Sequence, residues 1–103
     1  MSSLSEIYFN YNKAIAQANR LDGIASKMQN AANREMEGIL NDVSRAWKSD
    51  SAPLYIKKGQ KVRGDMRTSA KNLKQIANTI RTIAKRVRDA ELDAWRIAHE
   101  RTL

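Results

Sequence analysis

The chain contains no cysteine, which excludes a disulfide framework and any thiolate-based metal or redox site. It has one histidine, His99, with no second one to share a metal ion. Proline occurs once and glycine four times in 103 residues, and so few breakers favour long helices over strands and turns. Aromatic residues make up only 6%, too little for a thick globular core. No apolar run approaches the roughly 20 residues that a membrane-spanning helix needs. The first ten residues have neither the basic nor the apolar segment of a Sec-type signal peptide. That predicts a protein that is cytoplasmic when made and that, if secreted, leaves by a route accepting folded chains. Also missing are a glycine-rich phosphate loop, a Ser-His-Asp set and metal-ligand spacing. The reading is of a protein that is not an enzyme and has no cofactor and no metal site.

What the chain has is charge, at 29% of residues with a net of +8, unevenly placed. Residues 1–53 hold six basic and six acidic side chains, whereas residues 54–103 hold thirteen and five. The whole excess lies in the second half, which predicts an anionic partner there, such as an acidic protein, an anionic membrane or nucleic acid.

Apolar periodicity organises the first half. Leu4, Ile7, Tyr11, Ala14, Ala18, Leu21, Ala25, Met28 and Ala32 alternate three and four residues apart, the spacing of a coiled-coil seam. Glu35 interrupts the series, which resumes at Met36, Ile39, Val43 and Trp47 as a four-residue stutter would produce. Tyr8, Ile15, Ile24, Ala31 and Leu40 flank the seam, and Ser3 or Ser5 is placed to cap its start. This predicts helix 1 over about residues 4–47.

Lys48-Ser49-Asp50-Ser51-Ala52-Pro53 is the one strong break. Asp50 or Ser51 suits an N-cap, and Pro53 suits the first turn of the helix that follows. Helix 2 is predicted over about residues 54–99, with a seam through Gly59, Val62, Met66, Ser69, Leu73, Ile76, Ile80, Ile83, Val87, Ala90, Ala94 and Ile97. Ala70, Ala77 and Ala84 form a second row beside it. Gly59 and Gly64 weaken the start of this helix, where fraying or a kink is expected.

A turn as short as residues 48–53 forces an antiparallel two-helix hairpin. Three apolar positions in seven is wider than the two-in-seven stripe that a pair of helices needs. Either the extra row packs a closer hairpin, or it meets a second hairpin and completes a four-helix bundle. The fold class expected is all-α, an antiparallel hairpin in a single domain that dimerises into a four-helix bundle, since two helices alone have little core. The expected partner interface comprises Leu73, Ile76, Ala77, Ile80, Ile83, Ala84 and Val87 of helix 2, with Ile15, Leu21 and Met28 of helix 1.

Arg67, Lys71, Lys74, Arg81, Lys85 and Arg88 make a basic stripe, read as lying opposite the apolar seam. One reading makes it a solvated face. Another makes the protein a basic helical binder of nucleic acid or anionic membrane, although no aromatic residue interleaves for base stacking. Asp89 and Asp93 are expected to pair with Arg86 or Arg96 on a solvated face. His99 suits a helix C-terminus as a charge.

Trp47 closes helix 1 beside the turn, where it is expected to plug the open end of the core. Trp47-Lys48-Ser49, followed by small Ser51 and Ala52 and by Tyr55 eight residues on, resembles the Trp-X-Gly turn of the WXG (ESAT-like) family of small type VII secretion proteins. Chain length, paired helices and the lack of cysteine match as well. The resemblance implies a helical hairpin that forms four-helix bundles and is exported folded. The partner would be a second copy, a related small helical protein, or the helical N-terminal domain of a larger effector that this chain escorts to the secretion machinery. The turn motif would be Trp47, Ser49, Ala52 and Tyr55. Ser49 stands where the family has Gly, and the family's C-terminal Tyr-x-x-x-Asp/Glu export signal has no counterpart, the nearest aromatic being Trp95 with His99 four residues later. A partner would then supply the signal.

Overall fold

A computed structural model describes residues 3–47 and 50–100. All described elements are helical: α1 spans Leu4–Asn30, a π-helical turn spans Ala31–Glu35, α2 spans Met36–Ala46 and α3 spans Ala52–Glu100. Lys48 and Ser49 lie outside the described residues. The start of α1 is capped from the sequence expected, since the Glu6 N–H donates to Ser3 Oγ at 3.2 Å and the Ile7 N–H to the Ser3 carbonyl at 3.0 Å. At the other end Trp47 leaves helical geometry, with φ −94° and ψ 113°. Pro53 falls in the first turn of α3, where its missing N–H has no helical acceptor to lose.

The π turn explains the break in the first periodic series. Continuing the three/four rhythm past Ala32 would bring Glu35 onto the buried side. A π turn takes up one extra residue, with the Met36 N–H bonded to the Ala31 carbonyl five residues back. Met36 therefore arrives half-buried and Glu35 stays exposed.

The chain divides into two compact units, one of Met1–Leu21 with Gln75–Leu103 and one of Asp22–Lys74. They are called here the terminal unit and the turn unit. In the turn unit the rings of Trp47 and Tyr55 meet, Leu40 lies against Gly59, and Arg67 bonds Asn33. In the terminal unit Arg81 bonds Asn19, and Arg88 covers the ring of Tyr11. Within each unit the residue number falls on one helix as it rises on the other, so each is an antiparallel helix pair.

Both pairs close on small side chains. Ala18, Ala25, Ala32, Ala70 and Ala77 have no exposed surface, Ile7 and Ala52 retain 2% and 4%, and among the described residues no large side chain is completely buried. Each alanine methyl yields little transfer free energy, about 0.8 kcal/mol, but its size lets two backbones approach closely.

Helix α3 runs unbroken through Gly59 and Gly64, so the expected fraying does not occur there. The two glycines differ in surroundings. A Cβ at Gly64 meets nothing within 4 Å, whereas one at Gly59 collides with Leu40 Cδ2 and lies 3.3 Å from its Cγ. Gly64→Ala is expected to raise unfolding free energy by about 1 kcal/mol, the helix-propensity difference. Gly59→Ala is expected to give less, because Leu40 must be displaced. Urea denaturation of the two variants side by side checks the order.

Candidate functional site

On a helix, residues seven apart stack in one row, and α3 sorts into four such rows with distinct roles. The row Ala70, Ala77 and Ala84 faces the opposing helix, with the first two fully buried. Gly59, Met66, Leu73 and Ile80 form a half-buried row beside it. Next around the helix, Tyr55, Val62, Ser69, Ile76, Ile83, Ala90 and Ile97 form an exposed row. Its large members each leave about half their surface open, from 49% at Ile76 to 56% at Tyr55. Val87, at the end of the second row, is 49% exposed as well.

This arrangement corrects part of the sequence reading. Val62, Ile76, Ile83 and Ile97 were expected in the helix 2 seam, with the alanines as an extra face beside it, and Ile76, Ala77, Ile83 and Ala84 together in the partner interface. The two rows have exchanged places: the alanines pack inward and the aliphatics stay out, because only the smaller row permits the close approach. Ala77 is consequently unavailable to a partner. Of the remaining expected interface residues, Ile76, Ile83 and Val87 are exposed, while Leu73, Ile80, Ala84, Ile15, Leu21 and Met28 are half-buried. In α1 the expected seam from Ile7 to Ala32 is buried or half-buried throughout, although Leu4, Tyr8 and Ile24 remain exposed.

In the terminal unit the exposed side opens into a groove of about 290 Å³. Tyr11 and Ala14 line one wall, and Ile80, Ile83 and Val87 the other. Glu91 also borders it, and its Oε2 is buried without a hydrogen-bond partner. Arg63 Nε, on the alanine row in the turn unit, is the corresponding unpaired atom there.

The fourth row is basic. Arg67 Nε donates to Asn33 Oδ1 at 2.7 Å, and Arg81 donates through Nη2 to Asn19 Oδ1 at 2.8 Å. The Arg88 guanidinium sits 4.3 Å from the centroid of the Tyr11 ring and pairs with Asp89 at 3.1 Å. Lys74 belongs to the same row and is half-buried. The stripe therefore does not lie opposite the seam as expected. Arg67, Lys74, Arg81 and Arg88 flank the alanine row, and the three arginines among them clasp the neighbouring helix. Lys71 and Lys85 alone project outward on the exposed side of α3. Sequence reading missed these clasps, although Asn33 and Asn19 stand fourteen residues apart, as Arg67 and Arg81 do in the reverse direction.

Trp47 is 47% exposed and meets Tyr55, itself 56% exposed, edge to face at 4.8 Å between ring centroids. It is a half-open pair, not the core plug expected of Trp47. Ala52 is buried between them in sequence, and Ser49 lies outside the described residues. At the far end of α3 the His99 ring stacks on Trp95 at 3.9 Å, and its Nδ1 bonds the Trp95 carbonyl at 2.8 Å. Asp93 pairs with Arg96 as expected, but Asp89 takes Arg88 instead of Arg86. Among the described residues no cluster of three or more metal-ligating side chains occurs, and no helix is long and apolar enough to cross a membrane.

Comparison with known protein families, with curated proteins and with solved structures finds no match.

Proposed function

We propose that this protein acts by helix–helix packing with another chain, completing a four-helix bundle, and that it serves a type VII secretion system. Its role there is that of an exported substrate or of the escort of a larger effector. The observation that carries the packing reading is the division of labour on α3. The small residues are used inside the hairpin, and large aliphatics are left on an exposed row at about half exposure. Contiguous exposed apolar surface of this kind marks an interaction site. Covering one such Ile or Val is worth about 1 kcal/mol for the half that is still open.

The secretion part rests on the turn. An aromatic pair, Trp47 with Tyr55, stands half-open, in the positions that the WXG resemblance marks out. The test is export from a host that carries a type VII system. Trp47→Ala is expected to cut export at least tenfold. Its cost to the stability of the isolated chain should be only about 1–2 kcal/mol, below the 3–5 typical of a buried Trp, because half of Trp47 is open. Undiminished export of a folded Trp47→Ala chain would remove the secretion assignment and leave the packing one.

A further inference from the structure

We infer that the groove of the terminal unit receives a long basic side chain, lysine or arginine, from the chain that packs on α3, and that Glu91 is the residue that selects it. The inference rests on the packing reading above and names the partner's chemistry at this one point.

The groove lies wholly within the terminal unit, between residues 7–14 of one helix and 80–91 of the other. Its volume of about 290 Å³ is room for one or two side chains, not for a helix of roughly 10 Å diameter. Most of its lining is apolar, with Tyr11 and Ala14 facing Ile80, Ile83 and Val87. Glu91 breaks that character. It follows Ala84 by seven residues, on the row where Ala77 and Ala84 pack toward the facing helix. Glu91 is half-buried, and its Oε2 is shut off from water without a hydrogen-bond partner. No ion pair among the described residues involves it. Arg88 stands one turn earlier and borders the same groove, but its guanidinium is engaged elsewhere. It pairs with Asp89 at 3.1 Å and lies 4.3 Å from the centroid of the Tyr11 ring.

That unpaired carboxylate decides what can cover the groove. A partner that laid only apolar side chains on Ile83 and Val87 would take the rest of Glu91 out of water too. Leaving a buried charge unpaired costs more than the apolar contact returns. An acidic side chain would add repulsion. Lysine and arginine meet both demands, because the methylene stem lies along the apolar walls and the head makes a charge-assisted hydrogen bond to the carboxylate. The local sign thus runs against the net +8, which taken alone predicts an anionic partner. Exposed charges more than about 8–10 Å away are screened at physiological salt, so the group at the end of the groove outweighs the distant lysines.

A display library of helical hairpins, with one helix face randomised, can be selected on the parent chain without knowledge of the natural partner. Binders lost on the Ile83→Asp variant are those seated at the groove. Most of these should carry lysine or arginine at one fixed position. Replacing that residue by methionine keeps an unbranched stem and removes the charge. The replacement should weaken binding about tenfold or more on the parent and by less than about twofold on Glu91→Gln, the signature of a direct pair in a double-mutant cycle. Selection on Glu91→Lys should return aspartate or glutamate at the same position. Groove-seated binders with no basic preference, or a methionine replacement that costs the same on parent and Glu91→Gln, would overturn the inference and leave the packing reading standing. A library that yields no binder sensitive to Ile83→Asp removes the packing reading, and this inference with it. Urea unfolding of the chain alone gives an independent check. Glu91→Leu should unfold at a urea concentration equal to or above that of the parent, because it removes a carboxylate that has no partner. A lowered midpoint would show that Glu91 is already satisfied within the chain, and the inference would fall.

Discussion

Replacing Ala70 and Ala77 together by leucine should destabilise the isolated chain by about 3–6 kcal/mol, enough to leave it largely unfolded at room temperature. The estimate takes about 1–3 kcal/mol for each overpacked site. It lies toward the top of that range because neither methyl has any exposed surface and both occupy one row against the facing helix. A leucine there must fit where a methyl is already fully covered, so either the helices separate at the row or the side chains leave their rotamer wells. Separation would also stretch the clasps at Asn33 and Asn19, which hold Arg67 and Arg81 at 2.7 and 2.8 Å. Circular dichroism during urea titration measures the loss. The same substitution at Ala90, on the exposed row, serves as control and should leave isolated-chain stability within about 0.5 kcal/mol of the parent. Equal behaviour at Ala77 and Ala90 would show that the alanine row is not the seam.

Much of the fold was legible because its signals are local. Two long helices, the break at residues 48–53, the Ser3 cap and the α1 seam from Ile7 to Ala32 all follow from periodicity and cap chemistry. The interruption at Glu35 was legible as a change of phase but not as a π turn, because a stutter and an inserted π residue shift an apolar stripe alike. The choice between rows on α3 was not legible at all. Periodicity shows that three positions in seven are apolar. It does not say which two the hairpin consumes, and hydrophobicity alone favours burying isoleucine over alanine. What decides is the distance between backbones, a pairwise property of two helices. Ala18, Ala25 and Ala32 on α1 carry the missing half of that information: alanine rows on both helices fit each other only at close approach.

The basic stripe shows the same limit from the polar side. Its residues looked like a solvated face because charge was read one helix at a time. Arg67, Arg81 and Arg88 find their partners at Asn33, Asn19 and Tyr11, more than thirty residues away in sequence in every case. A search for polar pairs at reversed intervals would have proposed the two with asparagine. Once they are assigned to the hairpin, the stripe is a weaker footprint for nucleic acid or membrane than its charge suggests, since each clasped guanidinium already has an acceptor or a ring beside it.

Ile76→Asp with Ile83→Asp should do the opposite of the alanine substitutions, sparing the isolated chain and abolishing its assembly. In the single chain the two side chains are 49% and 54% exposed, so a carboxylate at either place reaches water. The stability cost should stay near 1–2 kcal/mol for the pair, from lost partial burial and lower helix propensity. In a bundle the same positions are covered, and an aspartate there must be desolvated without a partner or hold the interface open. At about 2–4 kcal/mol per site, the double variant should weaken assembly by a factor of at least 10³. Analytical ultracentrifugation over a dilution series reads the assembly, and urea titration in the monomeric range reads the fold. The two substitution sets thus cross over, with inward leucines breaking the hairpin and outward aspartates breaking only its association. If the aspartate variant assembles as the parent does, then the large aliphatic row is not an interface, and helix–helix packing through α3 is not how this protein works.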